Sequence, residues 1–98
     1  MNLQQIHKYI EQAADEAQRL LDVEFAKCNN QPSPGSALDQ AGLRDGKKIV
    51  VDYLCHGEPG IALEHLIYIV QETSIAISEE TRNHIRIAAS AMQMKVSL

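Results

Sequence analysis

Apolar residues in the first segment of the chain recur every three or four positions, and this spacing constrains the fold more than any other feature. Such a repeat places apolar side chains on one face of an α-helix. The charged residues of the segment fall on the other face, which predicts one long amphipathic helix over about residues 3–28. Its apolar stripe comprises Leu3, Ile6, Ile10, Ala13, Ala14, Ala17, Leu20, Leu21 and Phe25.

The segment that follows is predicted to be a loop. Residues 29–36, NNQPSPGS, contain two prolines, a glycine and two asparagines, which neither a helix nor a strand tolerates in such a cluster. The next stretch, ALDQAGLRDG, is compatible with a short helical turn entered from Ser36, although Gly42 and Gly46 weaken it.

Two further helices are predicted on either side of the tetrapeptide HGEP, residues 56–59. The first runs from Lys47 to His56, and Gly57 suits the left-handed residue that ends a helix. Pro59 then fits the first turn of the next helix, with Glu58 at the positive end of the helix dipole. That helix is predicted to be the central one, because its apolar sector is too wide to face water: Ile61, Leu63, Leu66, Ile67, Ile69 and Val70.

The C-terminal third is predicted to form a linker and a last helix. SIAI, residues 74–77, alternates like a strand but has no partner strand, so an extended linker that buries Ile75 and Ile77 is expected. Ser78 is a good N-cap with acids after it, and the last helix should reach about Met94. The tail, residues 95–98, is expected to fray.

These segments predict an all-α fold, a compact bundle of four to five helices in a single domain over residues 1–98, with a helical core at 37–94. A chain of 98 residues fits one core with a radius of gyration of about 13 Å. With 45% hydrophobic residues and no tryptophan, that core must consist mainly of Ile, Leu, Val and Ala.

Charge and cysteine content exclude several functional classes. The formal net charge of −4 argues against nucleic-acid binding, which depends on a basic surface, and favours a basic protein partner. Cys28 and Cys55 lie far apart without a CxxC motif, so they are expected to be reduced in a cytoplasmic protein. No signal peptide and no membrane-spanning run is expected.

The common catalytic and cofactor-binding signatures are absent from the sequence: no phosphate-binding glycine loop, no HExxH pair and no GxSxG elbow. The best metal candidates are His56, Glu58, Glu64 and His65, beside Cys55. Glu64 and His65 diverge by about 100° on a helix and cannot both bind one ion. We therefore predict no metal, no cofactor and no enzymatic activity, with His7 and His84 as plain surface histidines.

Two interpretations of the HGEP corner remain open. In the structural one, Gly57 supplies the positive φ, Glu58 satisfies free N–H groups and Pro59 starts the next helix. In the functional one, carboxylates and amphipathic side chains around the corner offer charge and anchors to a basic partner. The predicted contact residues are Asp52, Tyr53, His56, Glu58, Glu64 and Tyr68.

The run VVDYLCHGEPGIALEHLIYIVQE resembles the core motif of small bacterial immunity proteins of the MafI and contact-dependent growth inhibition type. In that family a helix ends in an HGE corner and the next helix opens with an ALE-type stretch. The resemblance covers residues 50–72 and continues weakly through IAISEETRNHI. The matching positions are Asp52, Tyr53, His56, Gly57, Glu58, Ala62, Leu63 and Glu64.

The resemblance implies a cognate polymorphic toxin domain as the partner, often a ribonuclease of the EndoU kind, whose active site the immunity protein covers. The charge is consistent with this function, since a nuclease cleft is basic and an acidic protein can compete for it. A helical adaptor or oligomerisation module without a toxin partner is the main alternative, and a small regulatory subunit of an enzyme is a third. The sequence does not indicate the oligomeric state.

Overall fold

Four α-helices and no strand make up the computed structural model, which describes all residues 1–98. The helices are α1 (Leu3–Lys27), α2 (Gly46–Cys55), α3 (Pro59–Glu72) and α4 (Glu79–Ala91). The predicted all-α bundle is confirmed. At 1.5 Å per residue, α1 is about 37 Å long, so it runs along most of the longest dimension of the molecule, 41 Å. The radius of gyration is 13.1 Å. None of the four helices combines the length and the apolar character needed to cross a membrane.

The core lies where α1 and α3 meet the other two helices. Each of these two helices contacts every other helix, whereas α2 and α4 do not contact each other. The prediction of α3 as the single central helix was therefore incomplete, because α1 shares that position. The wide apolar sector of α3 is not fully buried either, since Ile61 is 42% exposed. The largest fully buried side chains are Ile10, Leu21, Leu43, Val50, Leu63, Leu66, Ile69 and Ile85.

Polar side chains of α1 bind the starts of two other helices. Asp45, the N-cap of α2, makes no side-chain capping bond. Instead, the side-chain oxygen of Gln18 accepts a hydrogen bond from the Lys47 backbone N–H at 2.9 Å. Glu16 accepts hydrogen bonds from the backbone N–H and the hydroxyl of Ser78, the N-cap of α4. Thus α1 supplies both the apolar core face and the polar contacts that fix where α2 and α4 begin.

Three helices end in the same left-handed turn. In each, the residue after the C-cap has a positive φ and its N–H bonds back into the last helical turn. Only α2 uses glycine at this position, Gly57, with φ +73. Asn29 does the same after α1, and Gln93 does so after α4 with φ +57. The left-handed Gln93 explains why α4 ends at Ala91, short of the predicted Met94.

Residues 28–45 form a long connection of turns, and the short helical turn suggested after Ser36 does not develop into a helix. Gly42 has φ +81, which a helix cannot accommodate. Arg44 stabilises the connection: its guanidinium donates to the Asn30 carbonyl at 2.6 Å and lies 5.3 Å from the centre of the Phe25 ring. Leu43 is completely buried and joins the connection to the core.

The linker after α3 is confirmed, and the tail differs from the prediction. Ile75 and Ile77 are buried while the residues between and beside them are exposed, as in an extended strand-like segment. The tail, residues 95–98, packs back on the protein: Val96 and Leu98, with Met94 before them, are half-buried against the core. The Gln71 side chain donates to the Ser97 carbonyl at 2.9 Å. The burial alternates from residue to residue, as in an extended chain. The packed side chains and the Gln71 hydrogen bond hold the tail along α3.

Candidate functional site

The corner between α2 and α3 is built by backbone hydrogen bonds. The N–H of Gly57 bonds to the Leu54 carbonyl at 3.1 Å, and the N–H of Glu58 bonds to the Tyr53 carbonyl at 2.9 Å. This pair of bonds is the Schellman motif, for which the left-handed Gly57 is the usual residue. Pro59 then begins α3 as predicted. The conformation of the corner is therefore determined by its own backbone hydrogen bonds and does not depend on a partner.

Glu58 does not have the capping role that the structural interpretation gave it. Its backbone occupies the N-cap position of α3, but its side chain makes no capping hydrogen bond. His56, by contrast, has a local role, because its Nδ1 atom donates to the Asp52 carbonyl at 2.6 Å. The same carbonyl also accepts the His56 backbone N–H at 3.1 Å, so the ring adds a second hydrogen bond at the end of α2. This bond fixes the orientation of the His56 ring. The Glu58 carboxylate makes no comparable bond within the protein.

Four of the six predicted contact residues line one depression of about 520 Å³ at the end of α2 and the start of α3. Two isoleucines complete its lining, and we call this site the corner groove. Tyr53 is 37% exposed and Ile61 is 42% exposed, so two of the few exposed large apolar side chains of the protein meet here. The corner groove is lined by Ile49, Asp52, Tyr53, His56, Glu58 and Ile61.

Sequence reasoning missed the two isoleucines of the groove. Neither is among the predicted contact residues, and Ile61 belongs to the apolar sector of α3 that was predicted to be too wide to face water. Ile49 precedes Tyr53 by four residues, which places both side chains on one helix face, and this spacing could have indicated the apolar wall. For Ile61 no such signal exists, because its exposure depends on how far α2 covers the first turn of α3.

The other two predicted residues lie elsewhere on α3. Glu64 and Tyr68 border a second depression, of about 370 Å³, between α3 and the C-terminal tail. The Tyr68 hydroxyl donates to the Ala41 carbonyl at 3.1 Å, and Nε2 of His65 donates to the Gly42 carbonyl at 2.9 Å. These two side chains fasten the long connection to α3. Tyr68 is thus half-buried, with its hydroxyl engaged inside the protein.

The carboxylates around the corner have no partners within the protein. Asp52, Glu58 and Glu64 take part in no ion pair and accept no side-chain hydrogen bond. Acids on the other helices are mostly engaged: Asp15 pairs with Lys47, and Glu79 pairs with Arg86. Three carboxylates without an ion pair therefore lie on the exposed surface of α2, the corner and α3.

No three His, Cys, Asp or Glu side chains converge closely enough to hold a metal ion. Cys28 is half-buried, Cys55 is exposed, and both are free thiols. The prediction of plain surface histidines was wrong, since His7 and His84 are half-buried and each has one ring nitrogen that is buried without a hydrogen-bond partner. The His84 ring packs against Tyr9 with ring centres 5.1 Å apart.

Comparison with known proteins does not identify the chain, because no family model, no curated protein and no solved structure matches it.

Proposed function

We propose that this chain is a non-enzymatic immunity protein of the bacterial cytoplasm that binds a cognate toxin domain and covers its basic active site. The toxin class that fits best is a ribonuclease of the EndoU kind, as the sequence resemblance over residues 50–72 implies. The observation that carries the proposal is the corner groove, in which unpaired carboxylates lie beside exposed apolar side chains.

This combination of side chains suits a protein partner with a positive surface. Tyrosine is enriched among the residues that contribute most to protein interfaces, because it brings a large apolar area with one polar group. Unpaired Asp52 and Glu58 would attract a basic surface and speed its association. A nuclease cleft is positively charged because its substrate is a polyanion, so it offers the complementary charge.

Protection of cells against a toxin tests the function. Immunity genes follow their toxin genes, so the candidate is a toxin domain encoded directly upstream. It should stop growth when expressed alone, and co-expression of this chain should restore growth. The two purified proteins should bind with a dissociation constant in the nanomolar range, weakened by added salt. No association at micromolar concentration would exclude the proposal. Concentration-dependent self-association without toxin binding would instead favour the oligomerisation module.

Charge reversal on α3 connects the function to the surface. Glu58→Lys combined with Glu64→Lys should reduce protection and weaken toxin binding by at least about tenfold, since two attractive charges become repulsive. Glu11→Lys combined with Glu80→Lys is the matched control: it makes the same total change in charge, at two exposed residues of α1 and α4 that lie outside both depressions. Circular dichroism should show unchanged helix content in all variants. Equal losses in the control would contradict the assignment of this surface.

A further inference from the structure

Given the toxin-binding function proposed above, on which this inference rests, we propose that the corner groove binds the side chain of one arginine of the toxin. The groove combines three features that match a guanidinium group and its aliphatic stem. Its aliphatic walls are Ile49 and Ile61, its exposed ring is Tyr53, and its acidic groups are Asp52 and Glu58.

The charge of the groove determines the sign of its ligand. Neither Lys nor Arg is among its six lining residues, and neither carboxylate has an internal partner. The adjacent depression around Gln18 makes an instructive contrast, because it shares Asp52 but is also lined by Lys47 and Lys48. That neighbouring depression is lined by two lysines of the protein, whereas no lysine or arginine of the protein lines the corner groove.

The aromatic and aliphatic walls favour arginine over lysine. A guanidinium is planar, so it can stack on the exposed Tyr53 ring while its N–H groups fork towards a carboxylate. It is also more weakly hydrated than an ammonium group, so transferring it onto an apolar surface costs less free energy. The aliphatic stem can pack against the two isoleucines. An ammonium would satisfy the charge but would use neither the plane of the ring nor the fork geometry.

Sequestering an arginine would also explain how a small protein inactivates a nuclease. Arginine is the side chain that binds phosphate groups bidentately, so a nuclease depends on such residues to hold its polyanionic substrate. An arginine held in the corner groove cannot bind a phosphate at the same time. The groove would thus act on the toxin through direct competition for one substrate-binding side chain.

Short peptides test the groove without the toxin. The probes are three terminally blocked tripeptides that share alanine and leucine at the ends and carry arginine, lysine or glutamine in the middle. Each is titrated into isotope-labelled protein and followed by backbone amide chemical shifts. The arginine peptide should shift amides of residues 49–61, with an affinity at least about threefold higher than that of the lysine peptide, as expected for a guanidinium that stacks and forks. The glutamine peptide should cause no shifts there.

Variants separate the contributions of charge and ring. Asp52→Asn with Glu58→Gln should abolish the shifts, and Tyr53→Leu should remove the preference for arginine while weak binding of both cations remains. Glu72→Gln on the far end of α3 should change nothing. All four residues are exposed, and circular dichroism should verify that each variant is folded.

Several results would overturn the inference. These are equal affinities for the arginine and lysine peptides, shifts centred on Glu64 and Glu72 instead of the groove, or no shifts at tens of millimolar peptide. Because the probes contain no toxin, such a failure leaves toxin binding by the whole protein to be judged separately. Conversely, peptide binding in the groove with no toxin association would contradict the proposed function and the toxin as the source of the arginine, while the groove would remain an arginine-binding site.

Discussion

At the scale of single residues, the corner depends on a backbone conformation and not on side-chain packing. Gly57 has φ +73, and a Cβ atom built on it would meet no other atom within 4 Å. Gly46 presents the opposite case. Its φ is helical, but a Cβ atom there would lie 2.5 Å from Cδ1 of Ile69, because the start of α2 packs closely against α3. Gly46, the first residue of α2, and Gly57, just beyond its end, thus fit their positions for different physical reasons, one steric and one conformational.

Replacing these glycines by alanine should therefore give different losses. Gly57→Ala should lower the free energy of unfolding by about 1 kcal/mol, the cost of a left-handed conformation for a residue with a Cβ. Gly46→Ala should lower it by about 2 kcal/mol, within the range for overpacked cores. Urea unfolding measures both. Gly57→Asn serves as the control and should lose less than Gly57→Ala, because asparagine tolerates this conformation. A neutral Gly57→Ala would contradict a strained corner.

Glu16 makes the stability of the protein depend on pH. Burial alone would raise its pKa, but hydrogen bonds from the Ser78 backbone and hydroxyl, with Thr81 and the charge of Arg19, together lower the pKa below its ordinary value of 4.5. A carboxylate with a lowered folded pKa stabilises the protein above the unfolded pKa, and this stabilisation is lost as pH falls through the folded pKa. Thermal unfolding should therefore separate wild type from Glu16→Gln most clearly above pH 4.5.

The difference should shrink steadily below that pH, since glutamine cannot titrate. The matched control is Glu11→Gln, an exposed acid on the same helix that accepts no hydrogen bond. Its unfolding temperature should stay close to that of wild type at every pH. A gap between wild type and Glu16→Gln that is constant from pH 6 to pH 3 would show that the charge of Glu16 contributes nothing to stability.

At the scale of elements, α1 determines where its neighbours begin. Gln18 accepts from the Lys47 N–H and donates to the Arg44 carbonyl at 3.1 Å, so it replaces the capping side chain that Asp45 does not provide. Lys47 also forms an ion pair with Asp15, and the hydrogen bond and charge of that carboxylate raise the pKa of Lys47. The start of α2 is therefore attached to α1 by side chains from two successive turns.

Removing the Gln18 side chain should uncap α2. Gln18→Ala should reduce the free energy of unfolding by about 1 kcal/mol, the usual effect of losing a capping hydrogen bond. Gln12→Ala on the same helix is the control: Gln12 is exposed and makes no hydrogen bond, and alanine has the higher helix propensity, so this change should be neutral or slightly stabilising. Chemical denaturation of both variants measures the difference. Equal stabilities of the two variants would mean that solvent caps α2 as well as Gln18 does.

These contacts mark the limit of what the sequence could predict. Periodicity and capping chemistry act between near neighbours, so they predicted α1, the Gly57 turn, Pro59 at the start of α3 and the Ser78 cap. The bonds made by Glu16 and Gln18 join residues 62 and 29 positions apart, and no local pattern encodes such pairs. The same holds for the tail, whose alternating apolar residues are too few to predict where they pack.

The candidate site also contains a part that local sequence patterns could predict and a part that depends on distant residues. Asp52, Tyr53, His56 and Glu58 are close in sequence and joined by one tight turn, so their convergence in the corner groove followed from local geometry. Tyr68 belongs with the long connection, because its hydroxyl bonds to a residue 27 positions away. Tyr68 lies more than two helical turns beyond the corner. Whether such a residue contributes to the surface of the corner depends on whether other segments, here the long connection, cover it.

At the scale of the whole molecule, charge is distributed unevenly among the helices. The net charge of −4 is modest, but Asp52, Glu58 and Glu64 take part in no ion pair, so they contribute uncompensated negative charge around the corner. The field of this charge increases the rate at which an oppositely charged partner associates, and salt screens it. The orientation of the proposed toxin partner during encounter would then follow from the corner between α2 and α3.

If the chain binds a toxin as proposed, removing a cation beside the groove should accelerate the association. Lys48 precedes Asp52 by four residues on α2, so it lies on the same helix face and offsets part of the negative charge. Lys48→Glu should raise the association rate several-fold at low ionic strength, while the dissociation rate changes little. Arg82→Glu is the matched control with an identical charge change, placed on α4, which does not contact α2. Stopped-flow mixing with the toxin at low and high salt measures both rates. Because salt screens the field, the faster association of Lys48→Glu should disappear at about 0.5 M salt.

Equal acceleration by both variants would contradict this prediction. It would mean that the net charge of the protein, and not the position of the charge beside the groove, guides the partner.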